Sequence, residues 1–196
     1  VYLPVHGAHQ GDNAAVAVAA VEAFLGRPQD DDLVTEAFAG LVLPGRFEVV
    51  SRHPTIVVDG AHNAEGAAVT AATLAEDVTL AGSVLLVVGL LEGRDPAELL
   101  AALGAAQAGL VVTCAPDSPR AIPAAEVAAI AEGLGAVAES VGDPVDAVRR
   151  ALAVATEDDV VLVTGSHYVA GPVRAALSEV VAHDIDQLTL SVGDDS

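Results

Sequence analysis

Residues 55–63 of the chain read TIVVDGAHN, an apolar β-branched run that ends in a polar, glycine-containing turn. The run does not alternate with polar residues, which is typical of a parallel strand covered on both faces. Four similar runs follow, at residues 84–89, 110–113, 136–139 and 160–164. Between them lie Ala-rich stretches with helical spacing of apolar residues, at 64–76, 96–106, 123–133 and 144–156. This alternation predicts an α/β fold with an open, mostly parallel, doubly wound sheet, to which residues 47–51 add an edge strand.

The two ends of the chain have a different character. Residues 1–43 contain two predicted helices, at 11–25 and 31–41, and two helices alone cannot bury their apolar faces well. We therefore predict a helical end of a preceding domain over residues 1–43, a complete α/β domain over 44–183 and a mobile tail over 184–196. The first residue is Val and not Met, so we expect a fragment or a processed chain.

Charge and composition exclude several classes of protein. The 196 residues carry a formal net charge of −20, with eight Arg and no Lys. This acidity disfavours binding to nucleic acid or to an anionic membrane surface, because both partners are themselves negatively charged. A chain without Lys has neither the Lys of a phosphate-binding P-loop nor a Schiff-base nucleophile. It is therefore not a P-loop nucleotidase by itself.

Cysteine usage and the N-terminal sequence bear on the compartment. The lone Cys114 lies in an apolar run and has the pattern of a small buried hydrophobe rather than of a nucleophile. Residues 1–6 show no basic segment followed by a long apolar one, so they do not form a signal peptide. No apolar run reaches the length of a membrane span. These features predict a cytoplasmic protein in a reducing environment.

Candidate functional residues follow the ends of the predicted strands, where open parallel sheets bind their ligands. Asp59, His62 and Asn63 cluster on the turn after the first run. Asp59 can accept hydrogen bonds from sugar hydroxyls, and His62 can bind a carboxylate or orient Asp59. The structural alternative is that Asp59 and Asn63 only accept hydrogen bonds from turn amides. Ser166, after the last run, can cap a turn or bind a ligand carboxylate, and Pro172 is expected to begin the final helix.

Arg46 is the remaining strong candidate. It follows Pro-Gly at the junction of the two predicted domains, where it can swing, and its guanidinium suits phosphate oxygens. The alternative is a weak surface ion pair with Glu48. The loop at residues 89–95 does not match a dinucleotide-binding glycine pattern, and we interpret it as a strand-to-helix connection. The six His residues show no metal-ligand spacing, and we expect His53 and His183 at the surface.

Three segments, in this order, resemble one enzyme family. They are HQGDNAA at residues 9–15, PGRFE at 44–48 leading to DGAHN at 59–63, and TGSHY at 164–168. Over about residues 1–180 the chain resembles the C-terminal part of the folylpolyglutamate synthase/dihydrofolate synthase family, within the Mur ligase superfamily. The resemblance implies a Rossmann-like domain of the Mur ligase C-terminal type, preceded by a short helical remnant of the central ATPase domain.

The resemblance also implies an ATP-dependent amide ligase of folate biosynthesis and one-carbon metabolism. In that family ATP phosphorylates a carboxylate to an acyl phosphate, and the amino group of L-glutamate attacks it. The reaction adds a glutamyl tail to folate, or converts dihydropteroate to dihydrofolate. ATP and Mg²⁺ are the implied cofactors, and most Mg²⁺ ligands belong to the N-terminal ATPase domain of the same protein. The implied enzyme is a monomer without nucleic-acid or membrane partners.

Five residues receive roles from the resemblance. Asn13 would lie near the adenine, Arg46 would reach the ATP phosphates from the interdomain linker, and Asp59 would contact the ribose. His62 and Ser166 would hold the incoming glutamate. His62 and Asp59 are also the catalytic candidates.

The chain departs from the family pattern at four positions. Ala64 stands where Pro is usual, Arg94 replaces a Lys, His167 stands where Leu is common, and Pro172 where Glu is common. Because the P-loop and the N-terminal magnesium site are absent from these residues, we expect the chain alone neither to hydrolyse ATP nor to ligate glutamate.

Two alternatives stay open. One is another Mur-type ligase that makes a cyanophycin-like polymer or a cell-wall peptide, and the other is a non-catalytic α/β binding module. The ligase interpretation predicts an exposed apolar patch on residues 1–43, where an ATPase domain would dock, whereas a binding module predicts a polar, closed face.

A surface rich in Asp and free of Lys indicates either a salt-adapted source or a source with a high-GC genome. Repulsion among carboxylates destabilises the compact state, and salt screens this repulsion. We expect the melting temperature of the chain, measured by calorimetry, to rise as KCl increases from about 0.1 M to about 1 M. A melting temperature that stays level over this range would contradict salt adaptation.

Overall fold

A six-stranded sheet forms the centre of the computed structural model, which describes residues 1–191. The strands are β1 (Glu48–Arg52), β2 (Thr55–Val58), β3 (Val84–Val88), β4 (Leu110–Thr113), β5 (Ala138–Ser140) and β6 (Val160–Thr164). Their spatial order is β1-β2-β6-β3-β4-β5. β1 runs antiparallel to β2, and all other neighbouring pairs are parallel. The predicted mostly parallel sheet and its edge strand are confirmed.

Helices cover both faces of the sheet. One face carries α3 (Ala64–Asp77), α4 (Pro96–Ala102) and α5 (Ala124–Gly133), and a short 3₁₀ helix (Ala105–Gln107) follows α4. The other face carries α6 (Pro144–Leu152) and α7 (His167–Ser191). Two helices, α1 (His9–Leu25) and α2 (Asp31–Ala39), precede the sheet. This arrangement is the predicted doubly wound α/β fold.

The apolar runs account for the two layers of the core. Alternate residues of a strand point to opposite faces, so Val57 and Leu162 pack beneath α3–α5 whereas Val58 and Val163 pack beneath α6 and α7. Since both faces are buried, these strands need no alternating polar positions. Cys114 is fully buried in the second layer. Its burial, followed by the nearby Asp143 carboxylate, raises the pKa of the thiol to about 12, as suits a small buried hydrophobe.

Some predicted elements end elsewhere for identifiable reasons. The helix predicted over residues 96–106 stops at Ala102, because Gly104 adopts a left-handed backbone with φ of +73°. β5 begins at Ala138 and not at Ala136, because the Ala136 amide donates to the Ala131 carbonyl at 3.0 Å and so closes the end of α5.

Pro172 lies inside α7 instead of beginning it, so the prediction for this residue is wrong. The helix begins more than one turn earlier, where the amides of Val169 and Ala170 donate to the Ser166 carbonyl at 3.0 Å. Burial of Val169 and Ala170 against the sheet stabilises this first turn. Gly171 has no Cβ to clash with the proline ring, so the helical backbone continues into Pro172.

The helices that precede the sheet leave most of their apolar side chains exposed. α1 buries only Gln10 and α2 buries none of its residues. Val16 and Phe24 of α1 are 69% and 89% exposed, and Leu33 of α2 is 53% exposed. The apolar patch that the ligase interpretation predicts on residues 1–43 is therefore present.

The predicted domain boundaries stay predictions. α7 extends to Ser191, through the beginning of the predicted tail, and residues 192–196 lie outside the described residues, as does the side chain of His183. His53 is exposed at the turn between β1 and β2. Among the described helices, none combines the length and the apolar character needed to cross a bilayer.

Gly165, directly after β6, has φ of +100° and no room for a side chain. A Cβ there would lie 2.7 Å from the Gly89 carbonyl oxygen and 2.9 Å from Leu90 Cδ2. Gly165→Ala should therefore lower the free energy of unfolding, measured in urea, by about 2 kcal/mol or more. Gly133→Ala is the matched control, since a Cβ at that helical position meets nothing within 4 Å. A loss of similar size in both variants would contradict this explanation.

Candidate functional site

Three loops meet at the carboxyl edge of the sheet. Residues 59–63 follow β2, residues 165–166 follow β6 and residues 89–95 follow β3. Because β6 lies between β2 and β3, its loop lies between the other two. The candidates that the sequence places after different strands therefore meet at one edge, the position at which open parallel sheets bind ligands.

The linker that carries Arg46 is held against the sheet by hydrogen bonds. The Gly60 amide donates to the Gly45 carbonyl at 2.8 Å, and the Phe47 amide donates to Asp59 Oδ2 at 2.8 Å. Phe47 is buried with φ of +46°, a left-handed backbone that is strained for a bulky residue. The backbone at Arg46 thus lies between two hydrogen-bonded residues in this structure, and the expected swing of the position stays a prediction.

The Arg46 side chain is exposed and makes no hydrogen bond or ion pair with any residue that the structure describes. The ion pair with Glu48 that the sequence left open is absent, because Glu48 pairs with Arg174 of α7 at 2.8 Å. Burial raises the pKa of the Glu48 carboxyl, but the hydrogen bonds from Arg174 and from the Gly45 amide outweigh it and hold the pKa below its ordinary value. Arg46 is left available to a ligand.

Asp59 is a buried carboxylate that organises the end of β2. Oδ1 accepts hydrogen bonds from the Ala61 amide and the Thr70 hydroxyl, both at 2.8 Å, and Oδ2 accepts the one from Phe47. Asn63 caps α3 through its side chain. Both residues therefore accept hydrogen bonds from backbone amides, as the structural alternative expects. Oδ2 of Asp59 has a single protein donor and can accept another hydrogen bond.

The smaller of two cavities at this edge brings Arg46, Asp59 and His62 together. It has a volume of about 290 Å³, and His9 and Gln10 at the start of α1 form part of its wall. A cation, a carboxylate and an imidazole thus surround one space, which suits a ligand with phosphate and hydroxyl groups.

The larger cavity, of about 490 Å³, adjoins the smaller one, and His62 lies on the walls of both. His62 Nδ1 lies 3.0 Å from the Gly60 carbonyl oxygen, an arrangement that leaves Nε2 for a ligand. Ser166 is buried on the wall, and its Oγ accepts a hydrogen bond from the Tyr168 amide at 3.1 Å. The Ser166 hydroxyl proton remains able to donate to a carboxylate.

Asn13 lies beside the smaller cavity rather than on its wall. It is exposed on α1, and its Nδ2 donates to Gln10 Oε1 at 3.1 Å. Gln10 in turn lines the cavity. The structure therefore brings four of the five predicted site residues onto the cavity walls. Asn13 contacts a wall residue, Gln10, but does not itself line the cavity.

Two arginines of the larger cavity were missed as site residues. Arg94 lies on the loop interpreted as a simple connection, and Arg120 follows β4. Arg120 Nη2 donates to the Glu92 carbonyl at 2.7 Å, which joins the two loops. A cation after a strand end was the available signal, since such ends form the ligand edge.

Known proteins resemble the chain in sequence and in structure. The family profile "Mur ligase, glutamate ligase domain" matches residues 45–167. A probable bifunctional folylpolyglutamate synthase/dihydropteroate synthase of Halobacterium salinarum is 37% identical over 189 residues, which are 95% of this chain and 22% of that protein.

Solved structures agree with this similarity. The folylpolyglutamate synthase of Mycobacterium tuberculosis complexed with ADP matches 90% of this chain and 42% of its own, with a TM-score of 0.83 and 34% identity. A folylpolyglutamate synthase/dihydrofolate synthase with Mn, AMPPNP and L-glutamate bound matches with a TM-score of 0.76 and 34% identity, over 90% of this chain and 41% of its own. The chain thus spans less than half the length of these relatives.

The Glu48–Arg174 pair is predicted to stabilise the linker. Glu48→Gln removes the carboxylate that binds Arg174 and the Gly45 amide, and should lower the free energy of unfolding by about 1–2 kcal/mol at about pH 7. Since the pKa of Glu48 is lowered in the folded state, its contribution is full above the ordinary carboxyl pKa and is lost as the pH falls through the lowered value. Urea denaturation at several pH values measures both effects.

Arg149→Gln is the control for this experiment. Arg149 pairs with Asp146 at 2.7 Å, but both side chains are well exposed, so its loss should change stability by less than about 0.5 kcal/mol. A Glu48→Gln effect that keeps the same size from about pH 7 to about pH 3 would show that the carboxylate charge is not its cause.

Proposed function

The chain belongs to the Mur ligase family, in its glutamate ligase domain, and from this premise we propose that it is the C-terminal part of an ATP-dependent folylpolyglutamate synthase/dihydrofolate synthase. One observation carries the proposal: Arg46, Asp59 and His62 line one cavity, and His62 also lines the adjoining cavity with Ser166. A nucleotide and an amino acid in these two cavities would meet at His62.

The proposed reaction joins a carboxylate and an amine in two steps. The terminal phosphoryl group of ATP passes to a carboxylate of folate or dihydropteroate, which gives an acyl phosphate and ADP. The amino group of L-glutamate then loses a proton and attacks the acyl carbon, so that a C–N bond forms and phosphate leaves. Enclosure between domains keeps water from the acyl phosphate. The related structure with AMPPNP and L-glutamate bound supports this choice of substrates.

Residues of the smaller cavity receive the nucleotide in this proposal. Arg46 offsets the negative charge of the phosphates, and a guanidinium without a partner among the described residues, on a hydrogen-bonded linker, suits that role. Asp59 accepts a ribose hydroxyl at Oδ2, which already binds one amide. Asn13, on α1, reaches the adenine. It is hydrogen-bonded to Gln10, which lines the cavity.

Residues of the larger cavity receive L-glutamate. Ser166 and His62 hold it, and His62, with Asp59, is the catalytic candidate because it adjoins both cavities. L-glutamate carries two carboxylates, and the guanidinium groups of Arg94 and Arg120 on the same cavity wall supply matching positive charge.

The divalent metal of the reaction does not fit the residues described here. No three His, Cys, Asp or Glu side chains within the described part of the chain are grouped to hold a metal ion. We therefore assign the Mg²⁺ ligands to the ATPase domain that this proposal requires, and no step above depends on a metal held by this chain.

The ATPase domain of the same protein is the proposed partner of α1 and α2. A groove of about 200 Å³ between these helices is lined mainly by apolar side chains, including Val18, Val21, Leu33 and Phe38. Such an apolar surface suits a domain interface and not the polar, closed face of a freestanding binding module. The complete enzyme is proposed to be a cytoplasmic monomer.

Arg46→Gln tests the proposed phosphate contact. In the longer protein that contains this chain, ligation of radiolabelled L-glutamate to dihydropteroate or folate should lose about 10²–10³ in kcat/KM, because a fixed cation at the transferring phosphoryl group is removed. Arg149→Gln, a change at an exposed ion pair, should leave the activity within about twofold.

The chain by itself, without its ATPase domain, should release no ADP in a coupled assay. Turnover by these 196 residues alone would contradict the proposal that the reaction requires the ATPase domain. Full activity of the Arg46→Gln enzyme would show that Arg46 does not bind the phosphates.

A further inference from the structure

His167, the first residue of α7, is seated against the end of β2. Any side chain at residue 60 would collide with ring atoms Cε1 and Nδ1 of His167 and come within 2.9 Å of Nε2. The imidazole therefore occupies space that only a glycine at position 60 leaves open. The exposed His167 side chain lies on the wall of the larger cavity, together with His62 and Ser166.

Arg46, His62 and Asp59 are the charged or titratable groups whose fields act on this ring. The ring centres of His167 and His62 are 6.0 Å apart and tilted by 47°. Arg46 on the linker has no partner among the described residues, and the carboxylate of Asp59 already accepts three hydrogen bonds. The remaining charged groups on the walls of the larger cavity are Glu92, Arg94, Asp95 and Arg120.

A ligand at this junction of the two cavities would have to supply negative oxygen atoms. Arg46 offers guanidinium N–H groups, and His62 and His167 offer ring nitrogens, within one small region. A phosphate oxyanion carries several acceptor oxygens on one tetrahedral centre and can bind donors from more than one direction. A carboxylate is flat and suits one fork of donors better than three separate side chains.

We propose that His167 is a second imidazole donor, beside His62, for a phosphate oxyanion at the junction of the two cavities, and that it takes up a proton when that oxyanion binds. The proposal rests on the proposed function, in which a phosphoryl group is transferred at this junction. His167 is then a positioning residue particular to this chain, because the resembling family commonly has Leu at the position.

The direction of the proton transfer follows from the charges around the ring. In the free protein, burial lowers the pKa of His167, and the positive charges of Arg46 and His62 lower it further against the opposing effect of Asp59. The ring is therefore neutral at neutral pH. A bound phosphate offsets the field of Arg46 and favours the imidazolium, which raises the pKa of His167. By linkage, the contribution of His167 to phosphate binding grows as the pH falls from the pKa of His167 in the bound protein to its pKa in the free protein.

The test is a histidine NMR titration of the full 196-residue chain over about pH 5–8.5, with and without a phosphate probe at about 20 mM. The probes are inorganic tripolyphosphate and ADP, and L-glutamate serves as the carboxylate probe. Both phosphate probes should move the midpoint of His167 to higher pH, and by more than L-glutamate does, because a phosphate carries more negative charge at the junction than a carboxylate. His53→Gln, at an exposed turn away from the site, is the control and should leave this shift unchanged.

Two substitutions separate a charge effect from a packing effect. His167→Leu restores the residue common in the family and should weaken tripolyphosphate binding about tenfold at about pH 6 and little at about pH 8. His167→Gln keeps a polar side chain that cannot be protonated, and its loss of affinity relative to the unsubstituted chain should likewise be confined to the lower pH. A loss that is the same at both pH values in either variant would overturn the proposal, since packing would then be its cause.

The other possible results of these experiments would overturn the proposal for His167. If tripolyphosphate changes the signals of Arg46 and Asp59 but not the His167 midpoint, or if only L-glutamate moves that midpoint, the phosphate role of His167 is wrong while the ligase function stands. If no probe perturbs the site, the proposal is again wrong, and glutamate ligation by the longer protein decides the proposed function separately.

Discussion

The buried carboxylate of Asp59 is the interaction on which the rest of the site depends. A buried charge is costly unless hydrogen bonds compensate it, and Asp59 accepts one from the linker, one from its own turn and one from α3. These bonds join the linker, the turn after β2 and helix α3, which lie 2 to 12 positions from Asp59 in the sequence. The strained backbone of Phe47 is held in the same way, so the position of Arg46 follows from the hydrogen bond that Asp59 accepts from the Phe47 amide.

Strand order is the second constraint. β6 is last in the sequence but lies between β2 and β3, which puts residues 165–168 between the turn after β2 and the loop after β3. Three loops separated by up to a hundred residues thereby form two adjoining cavities. His62 belongs to both cavities because its turn lies beside the β6 loop.

Local patterns predicted most of the fold. The continuous apolar runs and the Ala-rich stretches between them correspond to five of the strands and to α3–α6, because burial on both faces and helical spacing leave their mark within a few residues. Pro172 was misplaced because tertiary burial of Val169 and Ala170, which no local rule includes, determines where α7 begins.

The sequence predicted those residues of the candidate site that follow strand ends or match the family motifs. Asp59, His62, Ser166 and Arg46 were found in this way, although the hydrogen-bond partners of Asp59 were not. The pairing of Glu48 with Arg174 joins residues 126 positions apart, and Arg120 reaches the larger cavity from a loop after a fourth strand. The Glu48–Arg174 pair leaves no signal in the local sequence, because it depends on how distant elements pack, whereas Arg120 follows a strand end and was overlooked.

The central claim is that Arg46, Asp59 and His62 form one receptacle for a nucleotide supplied by a second domain. A crystal structure of the longer protein with ADP bound tests it most directly. The Arg46 guanidinium should lie within hydrogen-bonding distance of a phosphate oxygen, and the ribose should lie against Asp59 Oδ2. A nucleotide whose phosphates lie away from the smaller cavity, with Arg46 turned to solvent, would contradict it.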